Sequence, residues 1–296
     1  MREAAMLTPN NLSELREALG QATPPSKILA GGTDLVLAIH QGRCKPDLLI
    51  DLSGVEELKI IKLTEGRIHI GAMATFTQLM DNQLIKGSLP CLREAASLIG
   101  SNQIRSAGTI GGNIGNASPA GDTIPVLLAF DAVVRVLDSS GQAVEQSIDQ
   151  VISGAGRTSL RRDQVITEII IPLLGEHYRS TFVKIGSRTA VTIAKLNMAL
   201  AVKYDETAKS ISDVRVGLGA IGTKAFRERQ VEEILNGRRV DQCLADTLAE
   251  ELSAAVQRAI PGRYSLPYKR EAVKGLAQSA FANLFPKLYG GVSFTT

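Results

Sequence analysis

The sequence predicts an α+β chain built from three successive parts, and three observations predict it. The first fifty or so residues alternate helix, short apolar strand, glycine turn, helix and strand. From Leu58 the pattern changes to paired strands and short helices around a second glycine-rich segment. Beyond Leu173 three strand patterns are followed by three helical ones, the order of an α+β domain.

Thr8 to Leu19 reads as a helix, with Pro9 near its start, Asn11 or Ser13 as its cap, and Leu12, Leu15 and Leu19 on one face. Thr23-Pro24-Pro25 makes a break. Lys27 to Ala30 is then an apolar strand that runs straight into Gly31-Gly32-Thr33-Asp34; a second helical pattern begins at Leu35, and Pro46 to Leu52 reads as the next strand. Leu58–Leu63 and Arg67–Gly71 form a hairpin around Glu65-Gly66, and Thr77–Met80 and Cys91–Ile99 read as helices. Gly108 to Asn116 is rich in turn residues and reads as a loop. Thr123–Phe130 is helical, Ala132–Asp138 a strand closed by Ser139-Ser140-Gly141, and Val165–Ile171 a strand ending at Pro172. A boundary falls in Leu173–Arg179. Strands follow at Thr181–Ile185, Leu196–Tyr204 and Val214–Ile221, then helices at about Ala225–Leu235, Asp241–Ala259 and Tyr268–Phe285, and the last ten residues read as a loose tail.

Composition excludes several classes. The 296 residues carry 33 basic and 30 acidic side chains, a net charge of +3, too mild for a nucleic-acid surface. Arg161–Arg162, Arg238–Arg239 and Lys269–Arg270 read as solvated surface. No run of about 18 apolar residues is present, so no membrane span is expected, and Met1 to Pro9 lacks the apolar core of a signal peptide. Cys44, Cys91 and Cys243 lie far apart with no CxxC, and His40, His69 and His177 are equally scattered. Neither a disulfide framework nor a metal site is expected, and reduced thiols suit a cytoplasmic setting.

Two glycine-rich segments carry the chemistry. In Ala30-Gly31-Gly32-Thr33-Asp34 the glycines let a ligand approach the backbone, a following helix start adds partial positive charge, and Thr33 adds a hydroxyl. The other reading is an ordinary strand-to-helix turn with Asp34 as cap. In Thr109-Ile110-Gly111-Gly112-Asn113-Ile114 a second Gly-Gly pair is joined by Asn116, Ser118 and Asp122; Asp122 suits a sugar hydroxyl or caps the helix at Thr123. Neither segment has the spacing of a Rossmann or P-loop turn. Two such cradles about 80 residues apart suit one extended diphosphate dinucleotide gripped at two places.

Lys27 to Leu35 and Ser101 to Ile114 closely resemble the FAD-binding subunit of the xanthine dehydrogenase and carbon monoxide dehydrogenase family. Ala117–Asp122, Asp163–Ile166 with Ile169–Pro172, Phe182-Val183-Lys184, Ser187-Arg188 and Tyr268-Lys269-Arg270 continue the match to about residue 285. The resemblance implies an α+β fold: a two-subdomain FAD module of the vanillyl-alcohol-oxidase (PCMH) type, spanning 1–57 and 58–174, then a C-terminal flavoprotein domain, 175–285, and a tail, 286–296. Carried over, Lys27, Ile28, Leu29, Ala30, Gly31, Gly32, Thr33, Asp34 and Leu35 line the FAD diphosphate and adjoining groups. Thr109, Gly112, Asn113, Asn116 and Asp122, together with Gly108 and Gly121, bind the remaining phosphate, ribityl or adenosine-side groups. Ile99, Gly100 and Ile104 lie along the flavin or its approach. Val165 and Ile166 form apolar wall, and Lys184 reaches the flavin's polar edge, where a cation raises its potential. From the residues alone Lys184 reads equally as a snorkelling surface lysine.

There are departures from the family pattern. Ile99 stands where some relatives carry an aromatic that stacks on the flavin, Ser106 replaces a frequent Asn, and the three cysteines cannot reproduce the iron–sulfur loop of certain relatives. The resemblance implies electron transfer from the [2Fe–2S] centres of a small subunit, through FAD, to NAD or another acceptor, with substrate on a molybdopterin-binding large subunit and a dimer of heterotrimers as the assembly. The rivals are a free-standing FAD oxidase of the same fold, and a scaffold that has lost FAD.

Overall fold

A computed structural model describes residues 4–289. By packing, the chain divides into two compact units. The first holds the chain up to Leu84 together with Ser101–Ser118 and Asp131–Leu173; the second holds Ile85–Gly100, Pro119–Phe130 and the chain from Leu174 onward.

The first unit contains a three-stranded parallel sheet with Leu48–Asp51 between Ala5–Leu7 and Lys27–Leu29. The helix Leu12–Gly20 starts four residues later than its sequence pattern, because Asn11 takes the cap and its side chain accepts the Glu14 N–H. Leu15, Ala18 and Leu19 are buried in a cluster with Ile50, Leu52, Val55 and Leu58. Each leucine so buried contributes about 1.5–3 kcal/mol. The second sheet of this unit is antiparallel, in the order Ile61–Thr64, Arg67–Gly71, Gln164–Pro172, Val133–Asp138, Ala143–Ser147. Its first hairpin turns at Glu65 and Gly66, both at positive φ (52° and 70°), as a two-residue turn that matches strand twist requires.

The Gly108–Asn116 stretch is not a loop. Ile110–Asn116 is helical, capped by Thr109, whose Oγ1 accepts the Gly112 N–H at 3.0 Å, and it ends at Ala117 in the left-handed region. Packing overrides glycine's poor helix propensity here. A Cβ on Gly111 would lie 2.6 Å from the Ala72 Cβ, so only glycine lets this helix approach the segment after Gly71.

In the second unit, Tyr178–Ile185, Leu196–Asp205, Ser210–Gly219 and Phe226–Arg227 form one antiparallel sheet. The helices Arg229–Leu235, Gln242–Ala259 and Leu266–Leu284 share its core, which includes Leu196, Leu200, Val216, Leu248, Leu252 and Phe281. Thr123–Ala129 packs so closely on the sheet that a Cβ on Gly217 would fall 2.0 Å from the Pro125 carbonyl oxygen. Of the tail, Pro286–Tyr289 forms a 3-10 turn and the rest lies outside the described residues.

The Tyr178 hydroxyl donates to Asp213, which also holds Arg215 at 2.9 Å. Burial, and then the hydrogen bond to Asp213 and its charge, push the Tyr178 hydroxyl from an ordinary 10 up to about 12. A pKa raised in the folded state adds stability that is intact below pH 10 and is lost as pH rises towards 12. Tyr178→Phe is expected to remove this part of the alkaline slope, read as the difference between the two proteins in urea midpoint across that range.

Candidate functional site

The first unit contains a cleft of about 660 Å³, within the range of small-molecule and cofactor sites. The strand Lys27–Leu29 leads into it, and the helix Leu35–His40 forms one wall. Gly108–Asn116 forms another, and the run from Gly156 to Ile166 closes it. The two glycine segments therefore share one cavity. They also touch: a Cβ on Gly31 would sit 1.9 Å from the Ala107 carbonyl oxygen and 3.0 Å from the Gly108 Cα, so the two backbones meet with no room for a side chain.

The two segments play different parts. In the first, the N–H groups of Gly31, Gly32, Thr33 and Asp34 donate to no protein acceptor among the described residues. Backbone donors that stay open at a half-buried turn need water or a ligand acceptor. Gly32 adopts φ +71°, which turns the chain there and which side-chain-bearing residues rarely take. The following helix is only six residues long, and Asp34 makes no side-chain cap, so the amides carry more of the anion-binding capacity than a helix dipole does.

In the second segment the amides are already used. Gly108 donates to Ile104, Ile110 to Ala74, Gly111 to Ala72, Gly112 to the Thr109 hydroxyl and Asn113 to the Thr109 carbonyl. Its glycines serve close packing, against the Phe76 ring at Gly108 and against Ala30 at Gly112. What this segment offers the cleft is side chains, those of Thr109, Asn113 and Asn116.

Of the residues singled out from sequence, Lys27, Ile28, Ala30 to Leu35, Gly108, Thr109, Gly112, Asn113, Asn116, Val165 and Ile166 line the cleft. Leu29 and Ile104 belong to the same unit but do not line it; Ile104 is 38% exposed. Ile99, Gly100, Gly121, Asp122 and Lys184 belong to the second unit. There Lys184 is no snorkelling surface lysine. Its side chain is 5% exposed; its Nζ donates to Asp122 Oδ2 at 2.5 Å and to the Leu98 carbonyl at 3.1 Å. The Asn197 amide donates to the other Asp122 oxygen at 2.8 Å, and Asp122 makes no side-chain cap to the helix it precedes. Burial pushes the Asp122 carboxyl up, and the opposing pull of the Lys184 charge and of its neighbours' hydrogen bonds does not offset it.

The sequence reading missed part of the cleft wall. Leu37, Ala38, Arg43, Cys44, Thr158 and Arg162 all line it. Arg161 and Arg162 read as surface, and both stand on the cleft, Arg161 held by Asp138 at 3.3 Å and Asp163 at 3.1 Å. Nothing in a lone Arg-Arg pair marks a ligand wall. Among the described residues no group of three metal-ligating side chains occurs, and no helix is long and apolar enough to cross a membrane.

Residues 2–174 match the model of the FAD binding domain in molybdopterin dehydrogenase, and residues 181–284 that of the CO dehydrogenase flavoprotein C-terminal domain. The chain belongs to the FAD-binding medium subunits of the xanthine dehydrogenase and carbon monoxide dehydrogenase family. Among this family's members, the nicotinate dehydrogenase FAD-subunit of Eubacterium barkeri is 34% identical over 295 residues, covering 98% of this chain and 99% of that protein. The glyceraldehyde dehydrogenase medium chain of Sulfolobus acidocaldarius is 30% identical, covering 90% of this chain and 94% of its own length. The structure of carbon monoxide dehydrogenase from Hydrogenophaga pseudoflava shares the fold, with a TM-score of 0.88 over 97% of this chain and 98% of that one, at 24% identity. This medium subunit is thus an α+β flavoprotein component of an oxidoreductase, and its cofactor is FAD.

The cleft suits that cofactor. Four open amides with the Thr33 hydroxyl match a diphosphate, and the asparagines match sugar or ribityl hydroxyls. Ile28, Leu35, Leu37, Val165 and Ile166 give apolar wall for a ring system.

Proposed function

We propose that this subunit carries FAD as the electron-transfer station of a multi-subunit molybdenum hydroxylase. It works beside a molybdopterin-binding large subunit and a [2Fe–2S] small subunit, in a cytoplasmic dimer of heterotrimers. Bound there, FAD would supply the exchange between one-electron and two-electron transfer, with NAD or another molecule as acceptor. The residues of this chain bind and orient the cofactor. Gly31 to Asp34 offer amides to the diphosphate, Thr109, Asn113 and Asn116 hold the hydroxyl-bearing portion, and Val165 and Ile166 pack on an apolar ring. Lys184 and Asp122, fixed by one another and by Asn197, belong to the second unit and hold its interior together. No side chain is assigned acid–base chemistry; the substrate is oxidised on the large subunit.

The observation that carries this reading is the contact of the Gly31 backbone with Ala107–Gly108, which places four open amides and the Asn113 and Asn116 side chains in one cavity. The purified protein is expected to release FAD on heating, identified by mass. FMN, NAD or no ligand would contradict it. Co-purification with a molybdenum-containing and an iron–sulfur subunit is expected as well, and a subunit that oxidises substrate alone would overturn the division of labour.

Cys44 gives a second test. It is half-buried on the cleft, whereas Cys91 is buried and Cys243 exposed. If FAD covers Cys44, then at ten times Kd it slows alkylation of Cys44 about elevenfold by mass action. Cys243 is the internal control. Equal alkylation of Cys44 with and without FAD would place the cofactor away from this wall.

A further inference from the structure

We infer that Arg43 and Arg162, with Lys27, steer FAD into the cleft, setting how fast the cofactor is captured rather than how long it stays. The inference rests on the FAD reading above and adds to Lys27, which the first motif includes, two arginines that neither motif includes.

All three cations line the cleft, and all three are exposed. None has a carboxylate partner among the described residues; Arg43 is held only through Nε, which donates to Gln41 Oε1 at 2.8 Å. Their neighbour makes the contrast. Arg161 stands on the same wall and is neutralised by Asp138 and Asp163, whereas the adjacent Arg162 is not. The cleft's own unpaired carboxylate is Asp34, whose nearest polar partner is the Thr33 hydroxyl at 3.5 Å. Three unpaired cations against one carboxylate leave the cleft lining positive, even though Arg161 with its two aspartates carries one net negative charge beside them.

Exposed cations of this kind act mainly at a distance. In water each holds a bound anion only weakly, because solvent screens the pair. Together they bias the diffusional approach of an anion, so their effect falls on the association rate and its salt dependence. Capture and retention are thereby divided: the open amides and packed walls retain FAD, and the rim charges deliver it.

The full chain, stripped of flavin, is mixed with FAD in a stopped-flow instrument and flavin fluorescence is followed. The parent's association rate is expected to fall as salt rises. Arg43→Gln/Arg162→Gln is expected to bind about tenfold more slowly at low salt, with the gap closing near 1 M salt, where the screening length is about 3 Å. Its dissociation rate is expected to stay within about twofold of the parent's. Arg43→Lys/Arg162→Lys, which keeps the charge, is expected to restore capture. Equal low-salt rates in parent and glutamine variant would overturn the inference, as would a salt-independent parent rate or a loss residing in dissociation. If the stripped parent binds no FAD at all, the cofactor reading itself fails; if it binds and the charges are silent, only steering fails.

Discussion

Gly31→Ala is expected to strip this subunit of its flavin. The added Cβ would meet the Ala107 carbonyl oxygen at 1.9 Å, its carbon at 2.7 Å and the Gly108 Cα at 3.0 Å. Every one of these atoms is backbone, so no side chain can swing aside. The φ of Gly31 is not in the left-handed region, so the effect is purely one of space. To admit the methyl group, the two glycine segments must part by more than an ångström, and the open amides of Gly31 to Asp34 then lose their register with Asn113 and Asn116. Overpacking of this kind costs about 1–3 kcal/mol. If it falls on the bound geometry, FAD affinity drops by roughly fivefold to more than a hundredfold, since each 1.4 kcal/mol is a factor of ten. Flavin content per chain and an FAD titration read this directly. Retention of stoichiometric FAD at near-parental affinity would mean the two segments do not jointly hold the cofactor.

Lys184→Met is expected to destabilise the second unit by about 3–5 kcal/mol, the usual cost of leaving one member of a buried ion pair alone. Both side chains are nearly sealed from water, at 5% and 6% exposure, and Asp122 would be left with the Asn197 amide. Its carboxyl already sits above its ordinary range because burial dominates, and without the ammonium it rises further. A folded-state pKa above the unfolded value gives a contribution present below the unfolded pKa and lost as pH rises through the folded one. The variant's deficit should therefore be larger at pH 7 than at pH 4. Lys184→Met/Asp122→Leu should recover much of the loss, because removing both charges also removes the desolvation penalty. Urea midpoints at the two pH values decide it. A pH-independent deficit with no recovery in the double variant would show that packing, not charge, sets the cost.

Much of the fold was legible because its signals are local. The Lys27–Ala30 strand runs into two glycines, Glu65-Gly66 marks a hairpin, and the three strands and three helices of the C-terminal part keep clean periodicities. Ile110–Asn116 was not, because three of its seven residues are glycines and the one that seats the helix, Gly111, does so through its contact with Ala72. The short strand Ala5–Leu7 escaped for a related reason: it exists through its pairing with Leu48–Ile50. The site divides similarly. The glycine segments announce a ligand, but which of them offers free amides depends on hydrogen bonds made at Ile104, Ala72 and Ala74. Lys184 and Asp122 are 62 residues apart, and only the folded sheet and helix make them partners. Arg43 and Arg162 carry no motif at all; what distinguishes Arg162 from Arg161 is two aspartates that reach one arginine and not the other.

Amide hydrogen exchange over Ala30–Leu35 tests most directly whether the glycine turn clasps FAD. In the stripped protein the N–H groups of Gly31 to Asp34, open to the cleft, should exchange fast. With FAD bound they should slow together, in step with flavin occupancy, while the internally bonded amides of Gly111 and Gly112 change little. If the four amides exchange equally fast in stripped and FAD-loaded protein, the diphosphate is held elsewhere and this cleft is not its cradle.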